Sequence, residues 1–84
     1  MSHIDKLIEK AKTNPRNLRF KELCTLCEYF GMVKRKNAGG HTVYKRTEFS
    51  LSFQAEKGKA KPYQVRQLLD KIEEFDLYRP EEES

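Results

Sequence analysis

The sequence is short and lacks the features of several protein classes. Its 84 residues leave room for one core, so we predict a single domain over residues 1–84. No apolar run approaches the ~20 residues of a membrane-spanning helix, which argues against a membrane protein. The first residues, MSHIDKLIEKAK, are charged and lack a secretory apolar stretch, so we expect a cytoplasmic location.

Metal-ligating residues are also scarce. Cys24 and Cys27 form one C-x-x-C pair, and the chain has only two histidines. A structural zinc site needs about four ligands, and a redox C-x-x-C pair normally opens a helix instead of lying in its middle. We therefore predict that both thiols pack in the core, and that the protein uses no metal or other cofactor.

Motifs of other enzyme classes are missing too. Ser50 and Ser52 belong to an alternating strand pattern without a nucleophile elbow, so a Ser-His-Asp triad is not credible. The pair Gly39-Gly40 is too short for a phosphate-binding glycine motif. The sequence contains no internal repeats, and low complexity is limited to the acidic tail and one lysine-rich segment.

The apolar residues that are present predict three helices. Spacings of three and four residues run through positions 4–11, 20–30 and 65–75. The pair Asn14-Pro15 should end the first helix, and Gly31 should end the second. Pro62 fits the first turn of the third helix, where its missing N–H has no helical partner.

Between the second and third helices the apolar period changes to two. Alternation over residues 49–54 predicts a strand with one buried and one wet face, and residues 42–46 and 32–36 are weaker strand candidates. Turns are expected at residues 37–40 and 46–48. The sequence thus predicts an α+β fold, in which helices cover one face of a three-stranded antiparallel sheet and leave the other face open. The lysine-rich segment EKGKAK is expected to be a loop.

The charge of the chain points to a polyanionic partner. The formal net charge is +4, and Lys and Arg are concentrated in residues 34–66. An outward-facing basic segment attracts polyanions, most commonly RNA or DNA. The alternative is a solvated surface that only keeps the protein in solution.

His41 is the candidate catalytic residue. It follows Gly39 and Gly40, whose missing side chains would let an RNA backbone approach, and it lies between two basic runs. An imidazole exchanges protons at cellular pH, as metal-independent RNA cleavage by a general acid or base requires. The alternative is a polar hairpin residue in a protein that only binds phosphates. His3 has no such neighbours, and we expect it on the surface.

Candidate substrate contacts surround His41. Tyr44 could stack on a base or donate a proton, although it could equally pack against the sheet. The residues expected to bind the substrate are Lys34, Lys36, Gly39, Gly40, Tyr44, Lys45, Arg46, Lys57, Lys59 and Lys61.

Most of the chain resembles one known protein family. The segment NPRNLRFKELCTLCEYFGMVKRKNAGGHTVYKR, followed by GKAKPYQVRQLLDKIEEF, resembles the HicA toxins of bacterial toxin–antitoxin systems over residues 14–77. The resemblance implies a fold like a double-stranded-RNA-binding domain, here with an extra N-terminal helix. It also implies a messenger-RNA endonuclease whose key histidine corresponds to His41, and a HicB-like antitoxin as partner. The family's usual turn is Gly-Ser-His, whereas Gly40 replaces the serine here.

Two functional hypotheses follow. The first is an endoribonuclease toxin that uses His41. The second is a non-catalytic RNA-binding module with the same basic face, which would read shape and phosphates without chemistry.

Overall fold

The computed structural model describes residues 3–35 and 41–78, and its helices and first three strands follow the predicted order. The helices are α1 (His3–Thr13), α2 (Phe20–Tyr29) and α3 (Pro62–Glu74), with a 3₁₀ turn at Pro15–Asn17. The strands are β1 (Val33–Lys34), β2 (Thr42–Lys45), β3 (Ser50–Phe53), β4 (Ala55–Glu56) and β5 (Lys59–Ala60). The predicted α+β class is therefore confirmed.

Helices α1 and α2 end where the sequence predicts, and α3 begins where it predicts. Helix α1 stops before Asn14-Pro15, and Pro62 is the first residue of α3. Gly31 has a φ of 81°, the left-handed conformation that ends α2. None of the helices in the described ranges is long and apolar enough to cross a membrane.

The main sheet has the order β1-β2-β3, and both pairings are antiparallel. Arg46 and Phe49 exchange two backbone hydrogen bonds of 2.8 and 3.2 Å, which closes a two-residue turn at the predicted position. This turn sets the register of β2 against β3, with Tyr44 opposite Leu51 and Thr42 opposite Phe53. The predicted turn at residues 37–40 lies outside the described residues.

The sequence predicted a loop for the lysine-rich segment. This prediction is wrong, because the segment forms a hairpin of β4 and β5. Lys57 and Gly58 form its turn, with φ values of 53° and 80° that suit a tight two-residue connection. The Phe20 N–H donates to the Gly58 carbonyl (3.0 Å), and the Ala60 N–H donates to the Leu18 carbonyl (2.9 Å). These bonds and the buried Ala60 methyl fasten the hairpin to the body of the protein.

The core lies between the helices and one face of the main sheet. Thr42, Tyr44 and Phe53 are buried, whereas Lys45, Ser50 and Ser52 on the alternate positions are exposed. The buried apolar residues form one cluster that draws on all three helices: Leu7, Ile8, Ala11, Leu18, Leu23, Leu26, Cys27, Phe30, Met32, Tyr44, Phe53, Ala60, Val65, Leu68 and Ile72. The helices thus cover one face of the sheet. Within residues 3–35 and 41–78, no helix covers the other face, which we call the outer face.

Candidate functional site

The strand register decides which residues share the outer face. Directly opposed residues of an antiparallel pair point to the same side, and neighbours along a strand point to opposite sides. Val43 pairs with Ser52, and Lys45 pairs with both Ser50 and Val33. These residues form the outer face, because their alternates Tyr44 and Phe53 are buried beneath the helices.

His41 belongs to one end of this outer face. It immediately precedes β2, is half-buried, and has the same strand parity as Val43 and Lys45. Its neighbour Thr42 pairs with Phe53 in the last pair of the two strands, so His41 and Gln54 both lie at that end of the sheet. Lys36, Gly39 and Gly40, which the sequence assigned to the same site, lie outside the described residues.

Lys61 lies at the same end of the sheet as His41. Its ammonium donates to the Gln54 Oε1 at 3.0 Å. The Gln54 backbone N–H in turn donates to the Oε1 of the buried Gln64 at 2.8 Å. This chain of hydrogen bonds ties the end of β3 to the start of α3 and holds the positive charge of Lys61 there.

Lys45 and Arg46 are not brought to His41. Lys45 lies four positions after His41, a distance of about 13 Å along an extended strand. Arg46 has the opposite parity, and its guanidinium donates to the Phe30 carbonyl at the end of α2. Its Nε also forms an ion pair with the Glu48 carboxylate at 2.8 Å, without the alignment of a hydrogen bond. Arg46 therefore stabilises the end of a helix.

Arg35 occupies the middle of the outer face, and the sequence-based site omitted it. Its backbone N–H donates to the Val43 carbonyl at 2.7 Å, so it stands opposite Val43, between His41 and Lys45. The exposed Arg35 lines a shallow depression together with Val33 and Lys45. Lys34, which was predicted instead, pairs with Tyr44 and has the parity of the covered face, although it is exposed at the sheet edge.

The prediction that Tyr44 contacts substrate is wrong. Its side chain is 1% exposed, so the ring has no open face on which a base could stack. Its hydroxyl donates to the Glu28 Oε2 at 3.2 Å, and its ring packs at a tilt against Phe53. Burial raises the pKa of Tyr44, and the neighbouring Cys24 and Glu28 raise it further. The alternative reading, in which Tyr44 packs against the sheet, is the correct one.

The remaining lysines line a separate groove beside the hairpin. Lys57 and Lys59 are exposed on β4–β5 and its turn, and with Lys61 and Arg16 they form the basic side of this groove. The sequence predicted the positive charge but not its rigid support, which comes from backbone bonds to Phe20 and Leu18. The groove also recruits Arg16, which is distant in sequence from the lysines.

The two thiols behave as the sequence predicts. Cys27 is fully buried in α2 and Cys24 is half-buried, and both are free. Burial raises the pKa of Cys27, and Cys24 and Glu28 add to that effect, so its thiol stays protonated. Within residues 3–35 and 41–78, no group of three or more His, Cys, Asp or Glu side chains could hold a metal ion.

Comparison with known proteins does not identify a relative. No family model matches the sequence, and no curated protein or solved structure is significantly similar to it. The assignment of a function therefore rests on the geometry of the outer face and the basic groove.

Proposed function

We propose that this protein is an endoribonuclease of the HicA type, a toxin of a type II toxin–antitoxin system that cleaves messenger RNA in the cytoplasm. The observation that carries the proposal is the placement of His41. It is half-buried at one end of the outer face, with Lys61 fastened at the same end and Arg35 farther along the face. A partly accessible imidazole beside cations suits proton transfer next to a phosphate.

The chemistry requires one group that takes a proton and returns it. His41 would accept the proton of a 2′-hydroxyl as the 2′-oxygen forms a bond to the adjacent phosphorus. The bond from phosphorus to the 5′-oxygen breaks, and the imidazolium protonates that leaving oxygen, which gives a cyclic phosphate and a 5′-hydroxyl. Lys61 would stabilise the charge that develops on the phosphoryl oxygens. Proton count and charge balance over the step without a further reactant.

The fold supports the same proposal. A three-stranded antiparallel sheet covered on one face by helices is compatible with a layout like that of a double-stranded-RNA-binding domain, with α1 as the additional helix. We propose that a HicB-like antitoxin covers the outer face, because a nuclease with an open site needs a partner that silences it. Charge complementarity would favour an acidic surface on that partner.

The decisive test uses the two histidines as a matched pair. We expect His41→Ala to slow cleavage of an end-labelled RNA by about 10²–10⁴-fold while RNA binding persists, as loss of one acid–base group predicts. His3→Ala is the control, because His3 is exposed at the start of α1. This variant should cleave RNA like the parent. Chelator should have no effect, and the upstream product should end in a cyclic phosphate. Equal cleavage by both variants would remove His41 from the mechanism.

A non-catalytic RNA-binding module is the second candidate, and one observation favours it. The outer-face residues that the register defines, Val33, Arg35, Val43, Lys45, Ser50 and Ser52, include no carboxylate or second imidazole. Tyr44, the other proposed proton donor, is buried. RNA affinity without cleavage at any enzyme concentration would establish this second function.

A further inference from the structure

We propose that Tyr63 and the basic groove beside it form a second RNA-contact site, which holds a single-stranded segment through base stacking and phosphate binding. The inference deepens the proposed function and rests on it for the identity of the polyanion. It assigns roles to Tyr63 and Arg16, neither of which belongs to the site built around His41.

The groove concentrates positive charge from three parts of the chain. Arg16 comes from the 3₁₀ turn, Lys57 and Lys59 from the hairpin, and Lys61 from the residue before α3. Glu56 is the one carboxylate among the residues that line the groove. Four cations against one carboxylate favour a phosphate chain over a mixed-charge protein surface.

Tyr63 is exposed at the start of α3, immediately after the residues that line the groove. Its exposure is 59%, in contrast to 1% for Tyr44. The Nε2 of the buried Gln64 donates to its hydroxyl at 3.2 Å, and the Oε1 of Gln64 accepts from the Gln54 N–H. The phenol is therefore held at its oxygen while much of the ring stays open to solvent.

An open aromatic ring beside a row of cations is the combination that binds single-stranded nucleic acid. Bases stack on the ring, and the cations follow the backbone. In a duplex, the bases are stacked inside the helix, so an exposed ring contributes little. The Tyr63 site therefore favours single-stranded RNA over a duplex of the same length.

The same hydrogen bonds connect this site with the end of the sheet that carries His41. Lys61 lines the groove and also donates to Gln54, which follows Phe53 at the end of β3. RNA held at Tyr63 would thus extend along Lys61 towards His41. In this arrangement the groove anchors the substrate and His41 acts on a neighbouring linkage.

The test measures RNA binding in a His41→Ala background, so that cleavage does not interfere. The probe is a short single-stranded RNA that contains a fluorescent purine whose emission falls on stacking. We expect Tyr63→Leu to weaken binding by about tenfold, within the range of base–aromatic stacking, and to abolish the quenching. Tyr63→Phe should retain both, since it keeps the ring. Tyr29→Leu is the matched control, because Tyr29 is 51% exposed and lies at the C-terminal end of α2, outside the groove.

The phosphate contribution is measured by salt dependence. Arg16→Gln should reduce the slope of log affinity against log salt by about 0.7, as expected for one lost contact with a single strand. Lys6→Gln, an exposed lysine of α1, controls for the change in net charge.

The outcomes separate this inference from the proposed function. RNA binding that is insensitive to Tyr63→Leu and Arg16→Gln would overturn the second site and leave the His41 proposal intact. A duplex that binds as tightly as the single strand, with equal sensitivity to Tyr63→Leu, would also overturn it. If the parent bound no RNA at all, both proposals would fail.

Discussion

Tyr44→Phe is the substitution that best separates packing from catalysis. Tyr44 is 1% exposed, and its hydroxyl donates to a carboxylate oxygen of Glu28, 3.2 Å away. The variant keeps the ring and its contact with Phe53 but removes the hydrogen bond. Because Glu28 is exposed, water can solvate its carboxylate in the variant, and we expect a loss of about 1 kcal/mol in the free energy of unfolding.

Thermal unfolding can resolve a change of this size. For a domain of this length, ~1 kcal/mol corresponds to a decrease in Tm of about 4–8 °C. Tyr44→Ala is less useful, because removal of a buried aromatic ring costs about 3–5 kcal/mol, a large part of the stability of a small domain. Tyr29→Phe serves as the control, since the hydroxyl of an exposed residue should change Tm little.

The dependence of stability on alkaline pH gives an independent measurement on the same variant. Burial raises the pKa of Tyr44 above its ordinary value of 10.0, so the folded state keeps a proton that the unfolded state releases. This contribution to stability is fully present below pH 10.0 and is lost as the pH rises above it. The difference in stability between the parent and Tyr44→Phe should therefore shrink above that pH.

RNA cleavage by the same variant tests whether the Tyr44 hydroxyl takes part in the reaction. Measured well below both Tm values, Tyr44→Phe should cleave within about twofold of the parent, because a covered ring makes no substrate contact. A tenfold or larger loss in a folded variant would mean that the hydroxyl reaches the reacting groups. A Tm equal to that of the parent would mean that the bond to Glu28 contributes nothing.

Three further outcomes are expected. Gly31→Ala should lower stability by about 1–3 kcal/mol in chemical denaturation, because its φ is 81° and a Cβ would lie 2.7 Å from the Arg46 Nη1. Burial raises the pKa of Glu22, but hydrogen bonds from a backbone N–H and from a lysine ammonium outweigh it, and the net pKa is lowered. The ionised Glu22 stabilises the folded state fully above its ordinary pKa of 4.5, and this stabilisation is lost as the pH falls through the folded-state pKa. The free energies of unfolding of the parent and Glu22→Gln should therefore converge in acid. In cleavage assays, Lys61→Gln should lose more activity than Lys45→Gln, and the reverse order would contradict the placement of the site.

The helices were predictable because their apolar stripes repeat with the helical period. Buried residues of α2 and α3, such as Leu23, Cys27, Val65 and Leu68, fall on those stripes. The helix boundaries at Gly31 and Pro62 were equally predictable, because glycine and proline have backbone preferences that few other residues share. The β4–β5 hairpin was missed for two reasons. Its buried residue, Ala60, stands between two lysines in the sequence, so the segment has no apolar pattern. Strands of two residues are also too short to show a period.

The face to which Tyr44 belongs was harder to predict, since Val43 and Tyr44 are both suited to a buried position. Apolar and polar residues alternate clearly in β3, so the register of β2 against β3 was the missing information. The turn between Arg46 and Phe49 supplies it, because a two-residue connection places Tyr44 opposite Leu51. Arg16 and Arg35 were missed for a different reason: their contribution depends on contacts between segments that the linear pattern does not reveal.

The burial of Tyr44 has a consequence for the rate of the proposed reaction. With that hydroxyl in the core, the described outer-face residues offer His41 no second imidazole, carboxyl group or phenol as a partner in proton transfer. One imidazole must then perform both transfers in turn, and a single acid–base group contributes only about 10²–10⁴-fold. Positioning must supply most of the remaining acceleration, which gives the Lys61 and Tyr63 contacts their importance. A slow nuclease of this kind suits a toxin, for which a few cuts suffice and a partner must suppress the rest.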